Sequence, residues 1–108
     1  MSQIDRELLE FAAKAAGITG GWGDQFSVGD SHVDLTDMFF IETDGSYWNP
    51  LTDDGDALRL AVHLALFNGS QMFHFRSLER FGNPQATELE CTRRAIVRAA
   101  AEIGRAMP

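Results

Sequence analysis

The residues with the clearest potential for chemistry are Asp30, His32 and Asp34, which alternate along a short polar stretch. If this stretch is extended, these three side chains lie on one face, with Asp37 nearby. Two carboxylates and an imidazole are ligands that Mn²⁺ or Zn²⁺ accepts, so the stretch offers a divalent-metal site. Its spacing matches no closed zinc motif, and a solvated polar face is the interpretation that we favour.

No other group of residues in the sequence indicates catalysis. Cys91 is a potential nucleophile near the start of a predicted helix, but Glu88 and Glu90 beside it oppose the thiolate. His63 and His74 stand alone, and the nucleophile elbow Gly-x-Ser-x-Gly does not occur. We therefore expect no cofactor and favour a protein that is not an enzyme, although catalysis stays open.

Three arginines of the last predicted helix share one side. Arg94 and Arg98 are one turn apart, and Arg105 follows two turns further on. Such a row can bind phosphate or the acidic surface of a protein. The formal net charge of −7 disfavours direct binding to nucleic acid or to an anionic membrane. Salt bridges to the acidic half of the chain, within one molecule or across a homodimer, are favoured instead.

The charge is divided unequally along the chain. Residues 1–56 have a net charge of −10, whereas residues 57–108 have a net charge of +3. Opposite poles can orient self-association or steer a charged partner. The acidic half also raises an alternative function, in which the protein mimics nucleic acid and inhibits a host protein by filling its basic groove.

Length and composition predict a single domain over residues 1–108, because a chain of this size can bury one core. One cysteine fits a reducing compartment. The sequence shows neither a secretory signal nor the ~18 to 20 consecutive apolar residues that a membrane span needs. We therefore expect a cytoplasmic protein that does not associate with membranes.

A β-hairpin over residues 38–49 is the strongest local pattern. Asp44-Gly45 is typical of a two-residue type I′ turn, which would place Ile41 opposite Trp48 and Thr43 opposite Ser46. Alternation then buries one face, made of Phe39, Ile41 and Trp48. The second face is too apolar for plain solvent surface, so part of it is expected to be covered. The predicted interaction surface combines this face with the arginine row: Met38, Phe40, Tyr47, Arg94, Arg98 and Arg105.

Capping residues predict three helices. The first begins after Ser2 and ends at Gly17, the second begins at Thr52 or Asp53 and ends at Asn68-Gly69, and the last runs from Thr87 to about Ala106. The second helix is expected to be buried on more than one side, with Leu58, Val62, Ala65 and Leu66 on its main apolar face. The buried stripe of the last helix is predicted to comprise Leu89, Ile96, Ala99, Ala100, Ile103 and Met107.

Two further strands are predicted from alternation. Residues 71–76 alternate with Phe73 and Phe75 on one face, and a short strand within residues 26–35 would turn Val33 and Leu35 inward. The predicted fold class is α+β, in the order α-β-β-α-β-α. A small antiparallel sheet, formed by the hairpin 38–49 and the strand 71–76, is packed by three helices.

Two stretches of the chain resemble small phage and prophage proteins. Residues 47–62 read Tyr-Trp-Asn-Pro-Leu-Thr-Asp-Asp-Gly-Asp-Ala-Leu-Arg-Leu-Ala-Val, and residues 92–106 read Thr-Arg-Arg-Ala-Ile-Val-Arg-Ala-Ala-Ala-Glu-Ile-Gly-Arg-Ala. Both are distantly similar to the NinX-type accessory proteins of lambdoid phages, which bring no known catalytic residues. The resemblance implies a phage-encoded protein that acts in the bacterial cytoplasm.

The favoured function is therefore that of a phage accessory protein that binds another protein, either a second copy or a host factor. The first alternative is a small metal-dependent enzyme or metal-binding module built on Asp30, His32 and Asp34. The second is the acidic mimic of nucleic acid.

Overall fold

The computed structural model describes residues 2–23, 38–68 and 71–108. Its elements are α1 (Gln3–Ala16), β1 (Gly20–Trp22), β2 (Phe39–Ile41), α2 (Asp54–His63), a short 3-10 helix (Leu66–Asn68), α3 (Gln71–Gly82) and α4 (Glu88–Ala106). The fold is mixed α+β and mostly helical. The strand expected within residues 26–35 lies outside the described residues, as do Asp30, His32 and Asp34.

Helices α1 and α4 begin and end at the positions that their capping residues predict. The Ser2 hydroxyl accepts a hydrogen bond from the Asp5 amide at 3.1 Å, and Gly17 closes α1 with a φ of 71°. At the start of α4, the Thr87 hydroxyl accepts from the Glu90 amide at 3.1 Å. These contacts satisfy backbone groups that a helix end would otherwise leave unpaired.

Helix α2 begins after Asp53, as expected, but it is shorter and more exposed than the sequence predicts. It ends at His63 because Ala65 adopts a left-handed conformation with a φ of 55°, and the 3-10 helix follows. The prediction of one helix as far as Asn68 is wrong in this part. The predicted apolar face is also wrong, since Leu58 and Val62 are 56% and 66% exposed. The residues that α2 buries are Ala57, Leu60 and Ala61.

Helix α4 lies at the centre of the fold and packs against α1, α3 and α2. Small side chains allow this close packing, and they replace part of the predicted stripe. Ile96, Ala99 and Ala100 are buried as predicted, whereas Leu89, Ile103 and Met107 are exposed. The remaining buried residues of α4 are Cys91, Ala95, Val97, Ala101 and Gly104. At Gly104, a Cβ atom would overlap the Phe11 carbonyl oxygen of α1.

The sheet contains a strand that the sequence does not reveal. Strand β1 pairs antiparallel with β2, with Trp22 opposite Phe39 and Gly20 opposite Ile41. A Cβ atom at Gly20 would overlap the Phe40 carbonyl oxygen, so glycine is required for this approach. A three-residue strand that begins Gly-Gly shows no alternation of apolar and polar side chains, so its sequence does not indicate a strand.

The predicted hairpin forms, but its register differs from the prediction by two residues. Phe40 pairs with Tyr47, and the Trp48 amide donates to the Phe39 carbonyl at 2.9 Å. A type I′ turn needs a positive φ at both central residues, and only Gly45 of the Asp44-Gly45 pair has one, at 70°. The loop therefore spans residues 42–45. Because the shift is even, each side chain keeps its predicted face.

The prediction of a strand over residues 71–76 is wrong, because these residues form the first half of α3. Over only six residues, an alternation of apolar and polar side chains is compatible with a strand or with a helix when several apolar residues lie close together in the sequence. In the helix, Met72, Phe75 and Glu79 are only partly exposed, at spacings of three and four residues, whereas Phe73 is exposed. The sheet is consequently smaller than expected, and a fourth α-helix takes the place of the third strand.

One hydrophobic core joins the sheet to helices α1, α2 and α4. Its aromatic part places the Phe39 ring edge-on between two tryptophans, with centroids 5.4 Å from Trp22 and 5.6 Å from Trp48. The Trp22 indole donates to the Glu10 carboxylate of α1 at 2.7 Å, and the Arg6 guanidinium lies 4.3 Å from the centre of its ring. These contacts fix β1 against α1.

Candidate functional site

The predicted arginine row is divided between different contacts within the molecule. Arg94 donates to the Asp5 carboxylate at 2.8 Å and to the Glu79 carboxylate at 3.1 Å, and Arg98 donates to the second Glu79 oxygen at 3.1 Å. The hydrogen bond that Arg94 donates to the Asp5 carboxylate is the main cause that raises the pKa of Arg94 above its ordinary value. This network connects α4 to α1 and α3, so it contributes to the scaffold.

Arg105 lies apart from this network. It pairs with Glu102 at 3.4 Å, and its guanidinium stacks over the Phe11 ring at 5.2 Å. The salt bridge between Arg94 and Asp5 is of the kind that the sequence analysis favours, between the basic and acidic halves of one molecule. A role for Arg94, Arg98 and Arg105 in binding a partner stays a prediction.

The apolar face of the hairpin is partly covered. Met38 and Phe40 are half-buried, and Tyr47 is 44% exposed with its ring 6.2 Å from that of Phe40. The Tyr47 hydroxyl accepts from the Asn49 side-chain amide at 3.0 Å. A groove of about 510 Å³ lies between this hairpin and α2. Its polar rim includes Asp56, which is already bonded to the Asn49 amide and to Arg59.

A more exposed surface, which the sequence analysis missed, is the outer face of α3. Phe73 and Phe81 are 75% and 85% exposed. They are eight residues apart, so they lie on the same side of the helix about two turns from each other. Ser77 lies between them, and its small side chain leaves a groove of about 330 Å³. The groove is completed by Arg76, Arg80, Glu88 and Cys91.

The charged side of this groove contains two arginines and one carboxylate. Arg76 and Arg80 both donate to Glu88, each through one Nη2 atom, and Arg80 also donates to the Ala86 carbonyl at 2.8 Å. The side chains of both arginines are 45% exposed, and that of Glu88 is 58% exposed. The groove therefore carries a net positive charge at its surface, and we call it the α3 groove.

The α3 groove is not apparent from the sequence, because the pattern of residues 71–76 predicts a strand. A strand places Phe73 and Phe75 on one face, whereas a helix turns them to different sides. Phe75 is half-buried beneath the Arg98 guanidinium at 5.1 Å, and Phe73 faces outward. The available signal was the four-residue spacing of Phe73, Ser77 and Phe81, together with that of Arg76 and Arg80.

Other classes of site find no support among the residues that the structure describes. Within residues 2–23, 38–68 and 71–108, no three His, Cys, Asp or Glu side chains lie together in a way that could hold a metal ion. No helix in these same ranges has the length and apolar character to cross a bilayer. The chain matches no known protein family, no curated protein and no solved structure.

Proposed function

We propose that this protein acts by binding another protein through the α3 groove. The observation that carries this proposal is the pair of phenylalanine rings, Phe73 and Phe81, exposed at 75% and 85% on one side of α3. Single exposed apolar residues are common on protein surfaces, but two aromatic rings on either side of a groove are not explained by the fold. Aromatic and arginine side chains are also the types enriched at protein interfaces.

The two exposed rings can supply part of the free energy that association with a partner needs. Removing one phenylalanine side chain from water contributes roughly 1.5–3 kcal/mol, so covering both contributes on the order of 3–6 kcal/mol before the costs of association. Neither ring contributes this energy within the molecule, because both remain largely in solvent. A partner that covers the two rings would gain it.

We propose further that the partner is a protein of a bacterial host or a second copy of this chain, which would then be phage-encoded. The support is the resemblance of residues 47–62 and 92–106 to phage accessory proteins. These residues form the end of the hairpin, most of α2 and most of α4. The resemblance therefore concerns the scaffold, and the α3 groove lies outside it.

The experiment compares retention of bacterial proteins by the immobilised chain and by two double variants. Phe73→Ala with Phe81→Ala removes the exposed rings. Leu58→Ala with Val62→Ala is the matched control, because it truncates two exposed apolar side chains one turn apart on another helix. We expect the same proteins to be retained by the original chain and the control, and lost by the first variant. Identical retention by all three would contradict the proposal.

Sedimentation of the purified chain identifies the case in which the partner is a second copy. A dimer that is present in the original chain and absent after Phe73→Ala with Phe81→Ala assigns the α3 groove to self-association. Both double variants should keep the circular dichroism spectrum of the original, because substitutions at exposed positions usually change stability by no more than about 0.5 kcal/mol.

A further inference from the structure

We propose that the α3 groove receives an acidic protein segment. In this arrangement a carboxylate of the partner takes the place of Glu88 between Arg76 and Arg80, and a neighbouring apolar side chain packs between Phe73 and Phe81. This inference rests on the proposed function and adds the chemistry of the partner to it.

The position of Glu88 shows where a carboxylate binds. Its two oxygens accept hydrogen bonds from two different guanidinium groups, which come from successive turns of α3. Because the Glu88 side chain is 58% exposed, an incoming group can reach the same donors from solvent. Exposed ion pairs of this kind contribute little net stability, so exchanging one carboxylate for another has a small cost.

The local charge selects an anion even though the whole chain has a net charge of −7. Among the residues that the structure describes, Arg76 and Arg80 share one carboxylate, which leaves a net charge of one positive unit among the side chains of the groove. Glu79, the acidic residue of α3, is already paired with Arg94 and Arg98. A carboxylate entering the groove is therefore attracted, whereas a lysine would meet two guanidinium groups.

The apolar part of the groove limits what accompanies the carboxylate. Phe73 and Phe81 are separated by eight residues of helix, which corresponds to about 12 Å along its axis. Ser77 between them adds little bulk, so a large side chain can contact both rings. A groove of about 330 Å³ is at the lower limit of ligand pockets, which favours one or two anchoring side chains of a peptide over a whole cofactor.

The test uses short fluorescent peptides and measures their binding to the full chain by anisotropy. The probe has a central Phe-Leu pair between runs of glutamate. One control peptide replaces the glutamates by lysines, and a second replaces Phe-Leu by Ser-Ser. We expect only the first peptide to bind, with an affinity that falls as salt is added.

Two variants then test the arginines and Glu88 separately. Arg76→Gln with Arg80→Gln should weaken binding of the glutamate peptide by about threefold to tenfold, because the bonds to its carboxylate are lost. Glu88→Gln should strengthen binding by about threefold to fivefold, because it removes the internal competitor for the same guanidinium groups. The Leu58→Ala with Val62→Ala control should bind as the original chain does.

Three results overturn the inference: equal binding of the lysine peptide, unchanged affinity after Arg76→Gln with Arg80→Gln, and weaker binding after Glu88→Gln. The retention experiment distinguishes a wrong partner chemistry from the absence of protein binding at the α3 groove. Host proteins retained through Phe73 and Phe81, but independently of Arg76 and Arg80, would overturn the acidic partner and leave protein binding intact. Retention that is independent of both phenylalanines removes the proposed function itself.

Discussion

Replacing Gly104 by alanine tests whether the close approach of α1 and α4 sets the packing of this protein. A Cβ atom at position 104 would overlap the carbonyl oxygen of Phe11 and lie 2.7 Å from its carbonyl carbon. These are backbone atoms in the middle of α1, so no side-chain rotation relieves the overlap. The two helices must move apart, and the contacts that surround Gly104 loosen.

The magnitude follows from two opposing effects. Overpacking a dense interior costs roughly 1–3 kcal/mol, and we take the upper end because the obstacle is backbone. Alanine is about 1 kcal/mol more favourable than glycine within a helix, which offsets part of this cost. The expected net loss in the free energy of unfolding is about 2 kcal/mol. For a domain of this size, it lowers Tm by roughly 8–16 °C.

Thermal unfolding followed by circular dichroism measures this loss, and Gly82→Ala provides the matched control. Gly82 is the last residue of α3, and a Cβ atom there would have no neighbour within 4 Å. We expect the Gly82 variant to be as stable as the original chain, or more stable by up to about 1 kcal/mol. A Gly104 variant that matches the original in Tm would refute the packing of α1 against α4 described above.

Two further predictions concern polar contacts. Arg94→Gln should lower the free energy of unfolding, measured by urea titration, by about 2 kcal/mol, because the partly buried Asp5 and Glu79 lose a partner. Arg105 is more exposed, so Arg105→Gln should lower it by less than about 1 kcal/mol. Equal losses in the two variants would contradict this difference. Hydrogen bonds from the Ser46 side chain and amide lower the pKa of Asp44, so their stabilising effect is present above the ordinary pKa of 3.8 and disappears as the pH falls through the folded-state value. In Ser46→Ala, the midpoint of the Asp44 carboxyl titration measured by NMR should therefore rise, and an unchanged midpoint would be inconsistent with this account.

Helix ends were predictable because they depend on local chemistry. Ser2, Gly17, Asp53 and Thr87 act on backbone groups only a few residues away, so their effect is visible in the sequence. The early end of α2 was not visible, because the left-handed conformation of Ala65 is unfavourable for alanine on its own. Such a conformation persists only when the surrounding structure imposes it.

The sheet was harder to predict because its pairing is not local. Strand β1 contributes two glycines to the pairing, and its partner β2 lies well beyond it in the sequence. The two faces of the hairpin were predictable, because side chains alternate along a strand for any type of turn. Only the register of the hairpin depended on the turn type, and therefore on the φ of Asp44. The same alternation was misleading at Phe73 and Phe75, where it concealed a helix.

The α3 groove could not be predicted without the prediction of helix α3. Arg94, Arg98 and Arg105 were identifiable as one row, but a sequence does not show that Asp5 and Glu79 will neutralise two of them. Arg76 and Arg80 have the same four-residue spacing, but a strand that ends at Arg76 does not place these two side chains on one face.

The central position of α4 has a consequence for how the chain reaches its native state. Asp5 and Arg94, which connect α1 to α4, are 89 residues apart in the sequence. Because α1, the sheet, α2 and α3 are all synthesised earlier, their apolar surfaces stay open to water until α4 has been made. Contacts at such long separation also slow folding, because closing a long stretch of chain costs entropy before any contact forms. The nascent polypeptide is therefore expected to be prone to aggregation until translation has passed α4.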